Sequence, residues 1–164
     1  LLGLDGDTSE YLRRLPDLVD EIGVDIPVYS LAVPIEGTPF RNELRSAGRL
    51  LPGDLLDQSD SAHLVYTPRH VSPDELELAL VYCMRRSYSL GRVVRRAARR
   101  LRNGWFPALN SISINQVYGA YELAVARTAL RRIDARGPWP GGDLPRASVR
   151  SDLHEGTSHE PAHL

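Results

Sequence analysis

Leu1-Leu2-Gly3-Leu4-Asp5-Gly6-Asp7-Thr8 opens the chain, and the reading of this stretch decides which fold to expect. An apolar pair, two glycines and then Asp-Thr have the form of a buried strand that leaves its sheet, turns and enters a helix. Glycine permits the tight turn, and Asp, Thr or Ser caps the helix start. Asp7, Thr8 and Ser9 are candidate N-caps, and Leu12, Leu15, Leu18, Val19 and Ile22 recur at helical spacing up to a stop at Gly23. Pro16 removes a backbone donor from that helix, so a bend or a split is expected there. Ile26-Pro27-Val28-Tyr29-Ser30-Leu31-Ala32-Val33 follows, apolar on both faces as a buried parallel strand is. Strand, helix, strand is the opening unit, and because two parallel strands leave their edges open, it requires further strands beside it.

Downstream the pattern becomes helical. Thr38 as N-cap, Pro39 at the first helical position and Gly48 as stop frame a helix over Phe40 to Ala47. Residues 52–62 read as a loop and His63-Leu64-Val65-Tyr66 as a short extended piece ended by Pro68. Ser72 and Pro73 open a third helix with Asp74 and Glu75 in its first turn and Leu76, Leu80, Cys83 and Met84 on one face. It runs to about Leu90, Gly91 permits a bend, and an arginine-rich helix over 92–102 ends at Asn103-Gly104. Residues 105–136 form a long helix with a break expected at Gly119, and from Gly137 onward Pro, Gly, Ser, His and charge describe a disordered tail.

Composition bounds the function. With 164 residues and 42% hydrophobic content the chain can build one ordinary domain with a real core. All 20 basic residues are arginine, and they nearly balance the acids, giving a net charge of -1. Acids are plentiful in 1–77 and arginines dominate 85–102. The single cysteine, Cys83, excludes an intrachain disulfide and any multi-cysteine metal site. Neither a signal peptide nor an apolar run of bilayer length is recognisable, which sets a soluble cytoplasmic protein as the expectation.

The turn Gly3-Leu4-Asp5-Gly6-Asp7-Thr8, taken with Pro34-Ile35-Glu36-Gly37-Thr38-Pro39 one strand-helix-strand step later, resembles the later strand-loop pairs of radical S-adenosylmethionine (radical SAM) enzymes. His63 to Pro68, Ser72 to Leu76 and Tyr88-Ser89-Leu90 resemble the extension after the barrel in the subgroup that often carries a cobalamin-binding domain. The resemblance covers about residues 1–105. It implies an α/β fragment: the last strand-helix units of a partial (β/α)6 TIM-like barrel over 1–68, a mainly α-helical extension over 69–136 and the tail over 137–164. It further implies S-adenosylmethionine and a four-iron four-sulfur (4Fe-4S) cluster in the full-length family, a 5′-deoxyadenosyl radical, and the N-terminal barrel half as partner. Gly3, Asp5, Gly6 and Asp7 would lie near the cofactor, and Val33, Pro34 and Ile35 under its adenine. The sequence departs from the family in lacking a Cys-x-x-x-Cys-x-x-Cys loop, and Cys83 reads as a small core residue. No catalytic residue and no metal ligand are assigned, and the chain alone is expected to be inactive.

A reading from another class competes. Arg92, Arg95, Arg96 and Arg99 fall on one helical face, opposite a thin apolar strip of Val93, Val94, Ala97, Ala98 and Leu101, with Trp105 and Phe106 just beyond. Such a segment suits a helical adaptor binding an anionic membrane surface or a protein partner through residues 92–106. The bland alternative is a solvated face whose apolar strip packs on the third helix. Nucleic acid has less support, since no recognised binding motif accompanies the charge. His154, His159 and His163 have a spacing able to capture a stray metal, but a solvated tail explains them as well. A hydrolase triad has no glycine-elbow serine to rest on.

Overall fold

Thr8 caps the first helix, accepting the Tyr11 amide at 3.2 Å, and the helix (α1, Ser9–Ile22) ends at Gly23, whose φ of 86° is the left-handed conformation of a glycine stop. These and the following observations come from a computed structural model, which describes residues 1–51 and 64–136. The expectations placed on the loop 52–62, on His63, on the disordered tail 137–164 and on its histidines lie outside the described residues.

Four more α-helices follow among the described residues: α2 (Pro39–Ser46), α3 (Pro73–Ser87), α4 (Leu90–Arg100) and α5 (Trp105–Arg136), with a 3-10 turn at Leu101–Asn103 between the last two. Their starts obey local chemistry. Thr38 caps α2 and Ser72 caps α3, each followed by proline, and α3 carries Asp74 and Glu75 at its positive end and Arg85 and Arg86 at its negative end. The break before α4 falls at Tyr88-Ser89, and Gly91 lies inside α4.

Two expected interruptions do not occur. Pro16 sits buried inside an unbroken α1. The Leu12 carbonyl, which a proline at position 16 deprives of its usual amide donor, accepts the Cys83 thiol at 3.6 Å. Gly119 lies within an unbroken α5, where a Cβ would come within 2.9 Å of Tyr88 Cδ1. Its role is close helix-to-ring packing, not a bend.

The partial barrel is overturned. Among the described residues there is no sheet, only a parallel bridge between Leu2 and Leu31 and an antiparallel one between Leu50 and Tyr66. The segment 26–33 is extended, yet it packs as a core-lining coil. Pro27, Tyr29, Leu31 and Ala32 are buried, Val28 faces solvent, and the Tyr29 hydroxyl reaches Ser87 Oγ at 2.7 Å. A short apolar run that also carries a proline satisfies the sequence pattern of a buried strand and that of a coil pressed onto helices equally. The core joins Leu2, Leu12, Leu31, Tyr66, Leu76 and Leu80, all almost wholly inaccessible.

The long α5 buries an unusual seam. Ala108, Ser111, Asn115, Glu122, Ala126 and Ala129, with Gly119 among them, recur every three or four residues and face the protein. The larger apolar side chains of its first half, including Trp105, Phe106, Leu109 and Val117, face solvent.

Candidate functional site

The turn at residues 3–7 is closed by its own carboxylate. Asp7 is buried and Oδ2 accepts the amides of Gly3 at 2.6 Å and Leu4 at 3.2 Å, while the Asp7 amide returns to the Leu4 carbonyl at 3.0 Å. Gly3 has φ of 97°, and its carbonyl accepts the Tyr66 hydroxyl at 2.7 Å. A Cβ at Gly3 would sit 2.2 Å from that oxygen. Only glycine fits. At Gly6 nothing lies within 4 Å of an added Cβ, and no left-handed conformation requires the glycine.

Asp5 faces the other way, into a cavity of about 230 Å³ between the turn and α2. Arg49 grips it with both terminal nitrogens, at 3.1 and 2.8 Å, and Arg69 Nε stands 3.2 Å away. The hydrogen bond from Arg49 holds the Asp5 carboxyl below its usual range, against a smaller opposing effect of burial. Glu43 and Phe40 complete the charged and aromatic parts of the lining. Two carboxylates and two guanidiniums in one small cavity suit a zwitterionic group, and the volume is below the roughly 300 Å³ at which drug-sized pockets begin.

The second stretch singled out by sequence lies at the same end. Leu2 donates to the Ser30 carbonyl at 2.9 Å and Ala32 donates to the Leu2 carbonyl at 2.7 Å, so the turns after residues 2 and 32 leave this parallel pairing in the same direction. Pro34 is buried and its carbonyl accepts Arg41 Nη1 at 3.1 Å; Val33 is half-buried, and Ile35 is exposed while its carbonyl accepts the Thr38 hydroxyl at 2.6 Å. Of the seven residues singled out by sequence, Gly3 and Asp7 are committed to the turn itself, Asp5 lines the cavity, and Gly6 and Ile35 are open. Arg49, Arg69 and Tyr66, which organise the turn, were not anticipated; Arg49 stands 44 positions from Asp5, and no spacing rule links them.

The described residues do not fit a 4Fe-4S cluster. Cys83 is fully buried, its thiol is engaged by the Leu12 carbonyl, and burial pushes it up to about 12, so it stays protonated where a ligand must be thiolate. Among the described residues no group of three or more His, Cys, Asp and Glu side chains converges.

The arginine helix is turned partly inward. Arg92 is 8% and Arg96 0% exposed. Arg92 Nη1 donates to Asp20 Oδ2 at 2.6 Å and to the Pro16 carbonyl at 2.9 Å, and Nη2 pairs with Asp17. Arg96 donates to the Ser87 carbonyl and to Asn115 Oδ1, lies 3.9 Å from Asp20 Oδ1, and its guanidinium is 5.5 Å from the Tyr88 ring centre. Burial lowers the Arg96 pKa, with Asp20 opposing that effect. Arg99 caps the Asp20 carbonyl at 2.7 Å, and Arg100 pairs with Asp25. These arginines join the C-terminal end of α1 and the residues after it to α3 and α5. Arg95 is exposed. No helix among the described residues is long and apolar enough to cross a membrane.

No family model matches the chain, and no solved structure matches it. A stretch of 96 residues, 58% of the chain, is 23% identical to the bacteriochlorophyllide d C-12(1)-methyltransferase of Chlorobaculum tepidum, of which it covers 20%. The chain thus spans about a fifth of the length of the curated relative it matches.

Proposed function

We propose that this chain is a cofactor-contacting portion of a protein related to radical SAM methyltransferases, and that it meets S-adenosylmethionine with the turns at 3–7 and 33–35. The observation that carries the reading is the Asp5 cavity, with an open Gly6 next to Asp5 in the chain. Its mixed charges suit the amino and carboxylate groups of the methionyl end, and its volume suits that end alone. The distant similarity to a methyltransferase supports the same cofactor class. When bound, S-adenosylmethionine supplies the group to be transferred or the adenosyl radical. Arg69 would hold its carboxylate and Glu43 its ammonium, with Arg49, engaged by Asp5 and the Thr67 carbonyl, fixing the wall between them, and the bare backbone of Gly6 would admit its approach. The cluster that the radical SAM resemblance implies has no ligands among the described residues, and no step is assigned to it.

Equilibrium dialysis of labelled S-adenosylmethionine against the protein in the form in which it is expressed tests this. Gly6→Val fills open space without touching the fold, and Arg69→Gln removes a solvent-facing cation. Each is expected to weaken binding roughly tenfold, as loss of one charged or close contact does, with circular dichroism unchanged. Absence of binding, or binding indifferent to both changes, overturns the proposal.

A further inference from the structure

The outer face of α4 and the start of α5 carry exposed apolar side chains with a cationic border. Leu90, Val94, Ala98 and Leu101 recur at i, i+4, i+8 and i+11, so they stand above one another along the helix. All four are exposed, Leu90 at 74% and Leu101 at 59%. Just after Gly104, Trp105, 70% exposed, and Phe106 meet edge to face with ring centres 6.1 Å apart, and Leu109 is exposed as well. Arg95, Arg99 and Arg102 each come one position after a member of the strip and line one flank. The inner side of the helix holds Val93 and Ala97 with the arginine pair Arg92 and Arg96, Arg92 being paired with Asp20, while the line Leu90, Val94, Ala98 and Leu101 stands outside.

Charge names the occupant. From Leu78 to Tyr121 the sequence contains no Asp or Glu, while arginine occurs at eight positions between 85 and 102. The aspartates that neutralise Arg92 and Arg100 come from α1 and the residues just after it, behind the strip. The flank of the strip is therefore cationic with no acid on its own segment, and a tryptophan and a phenylalanine stand where apolar and polar phases would meet. We propose that this face, Leu90, Val94, Leu101, Trp105 and Phe106 bordered by Arg95 and Arg102, docks on an anionic lipid surface, lying in the plane of the interface. The apolar line enters the acyl boundary, and the arginines meet lipid phosphates. This differs from a cationic face presenting Arg92, Arg95, Arg96 and Arg99 together, because two of those four are withdrawn into the protein.

Vesicle binding tests it. Of the two tryptophans, Trp139 lies outside the described residues, and Trp139→Phe leaves Trp105 as the sole reporter. With vesicles of phosphatidylcholine containing phosphatidylglycerol, Trp105 emission is expected to shift to the blue and to become shielded from acrylamide. Phosphatidylcholine alone is expected to bind at least about tenfold more weakly, since several arginines contribute. Arg95→Gln and Arg102→Gln should each reduce affinity roughly fivefold and flatten its salt dependence. Val94→Ser with Leu101→Ser should reduce it roughly tenfold, with circular dichroism unchanged because both positions are exposed. Failure to bind either vesicle overturns the proposal, as does equal binding to both. Shielding of Trp105 that grows with protein concentration in the absence of lipid also overturns it, and assigns the face to a second copy of the chain.

Discussion

The turn at residues 3–7 and the helix α4 are both places where the sequence offers charge and an unusual residue pattern, and the protein uses them oppositely. In the turn, the polar groups that look like ligand contacts close on one another or on distant arginines, leaving one open glycine and one charged cavity. In α4, two of the four arginines that look like a surface, Arg92 and Arg96, are drawn into the interior beside Val93 and Ala97, and Leu90, Val94 and Leu101 are left outside. The contrast teaches that charge in a sequence states a need for a partner and not where the partner lies. Aspartates at 17, 20 and 25 answer the arginines at 92, 96 and 100 across more than 70 positions.

The contrast is broken most forcefully at Asp20. It is buried between Arg92 and Arg96, and its removal leaves two inward guanidiniums short of compensation. Asp20→Ala is expected to cost about 3–5 kcal/mol in urea unfolding. Asp25→Ala, whose pair with Arg100 is partly exposed, should cost at most about 1 kcal/mol. Equal costs would mean that α4 is not anchored through its inner arginines.

Next in size is Glu122, on the inner seam of α5. It is 1% exposed, Oε2 has no hydrogen-bond partner, and burial raises its carboxyl from 4.5 to about 7. A raised acid binds its proton more readily folded than unfolded. Its contribution is therefore fully present below pH 4.5, declines as pH rises, and is lost above about 7. The expected loss across that window is on the order of 2–3 kcal/mol. Glu122→Gln should abolish this slope in calorimetry from pH 4 to 8, taken at steps of about one unit, and should exceed the native protein in stability at the alkaline end.

What was legible in the sequence follows from the range of the interactions. Helix starts are decided within four residues, so Thr8, Thr38 and Ser72 announce α1, α2 and α3, and Gly23 announces a stop. The extended segment 26–33 was misread because its apolar run has no period that separates strand from coil. Pro16 was expected to disturb α1, but the remedy is a thiol 71 positions away. The apolar strip of α4, left open between packing inward and facing a partner, is divided: Val93 and Ala97 are buried and Val94 and Leu101 are exposed, because the aspartates that draw Arg92 and Arg96 inward lie on another helix. At the candidate site, sequence reached Asp5 and Gly6, which sit in the turn, and missed Arg49, Arg69 and Tyr66, which arrive through tertiary packing.

The finest division falls within the turn, between its two glycines. Gly3→Ala forces a side chain into the left-handed region and against the Tyr66 hydroxyl, and should cost about 2 kcal/mol or more. Tyr66→Phe removes the buried hydrogen bond to the Gly3 carbonyl and should cost about 1 kcal/mol, because the carbonyl then loses its donor. Gly6→Ala meets no neighbour within 4 Å and no backbone strain, so its stability should stay within about 0.5 kcal/mol of the native protein. Read in urea unfolding together with S-adenosylmethionine dialysis, these changes separate architecture from ligand. If Gly6→Ala is as costly as Gly3→Ala, both glycines serve the turn and the open backbone is not a docking edge. If stability holds while dialysis affinity falls, position 6 is kept bare for what approaches it from outside.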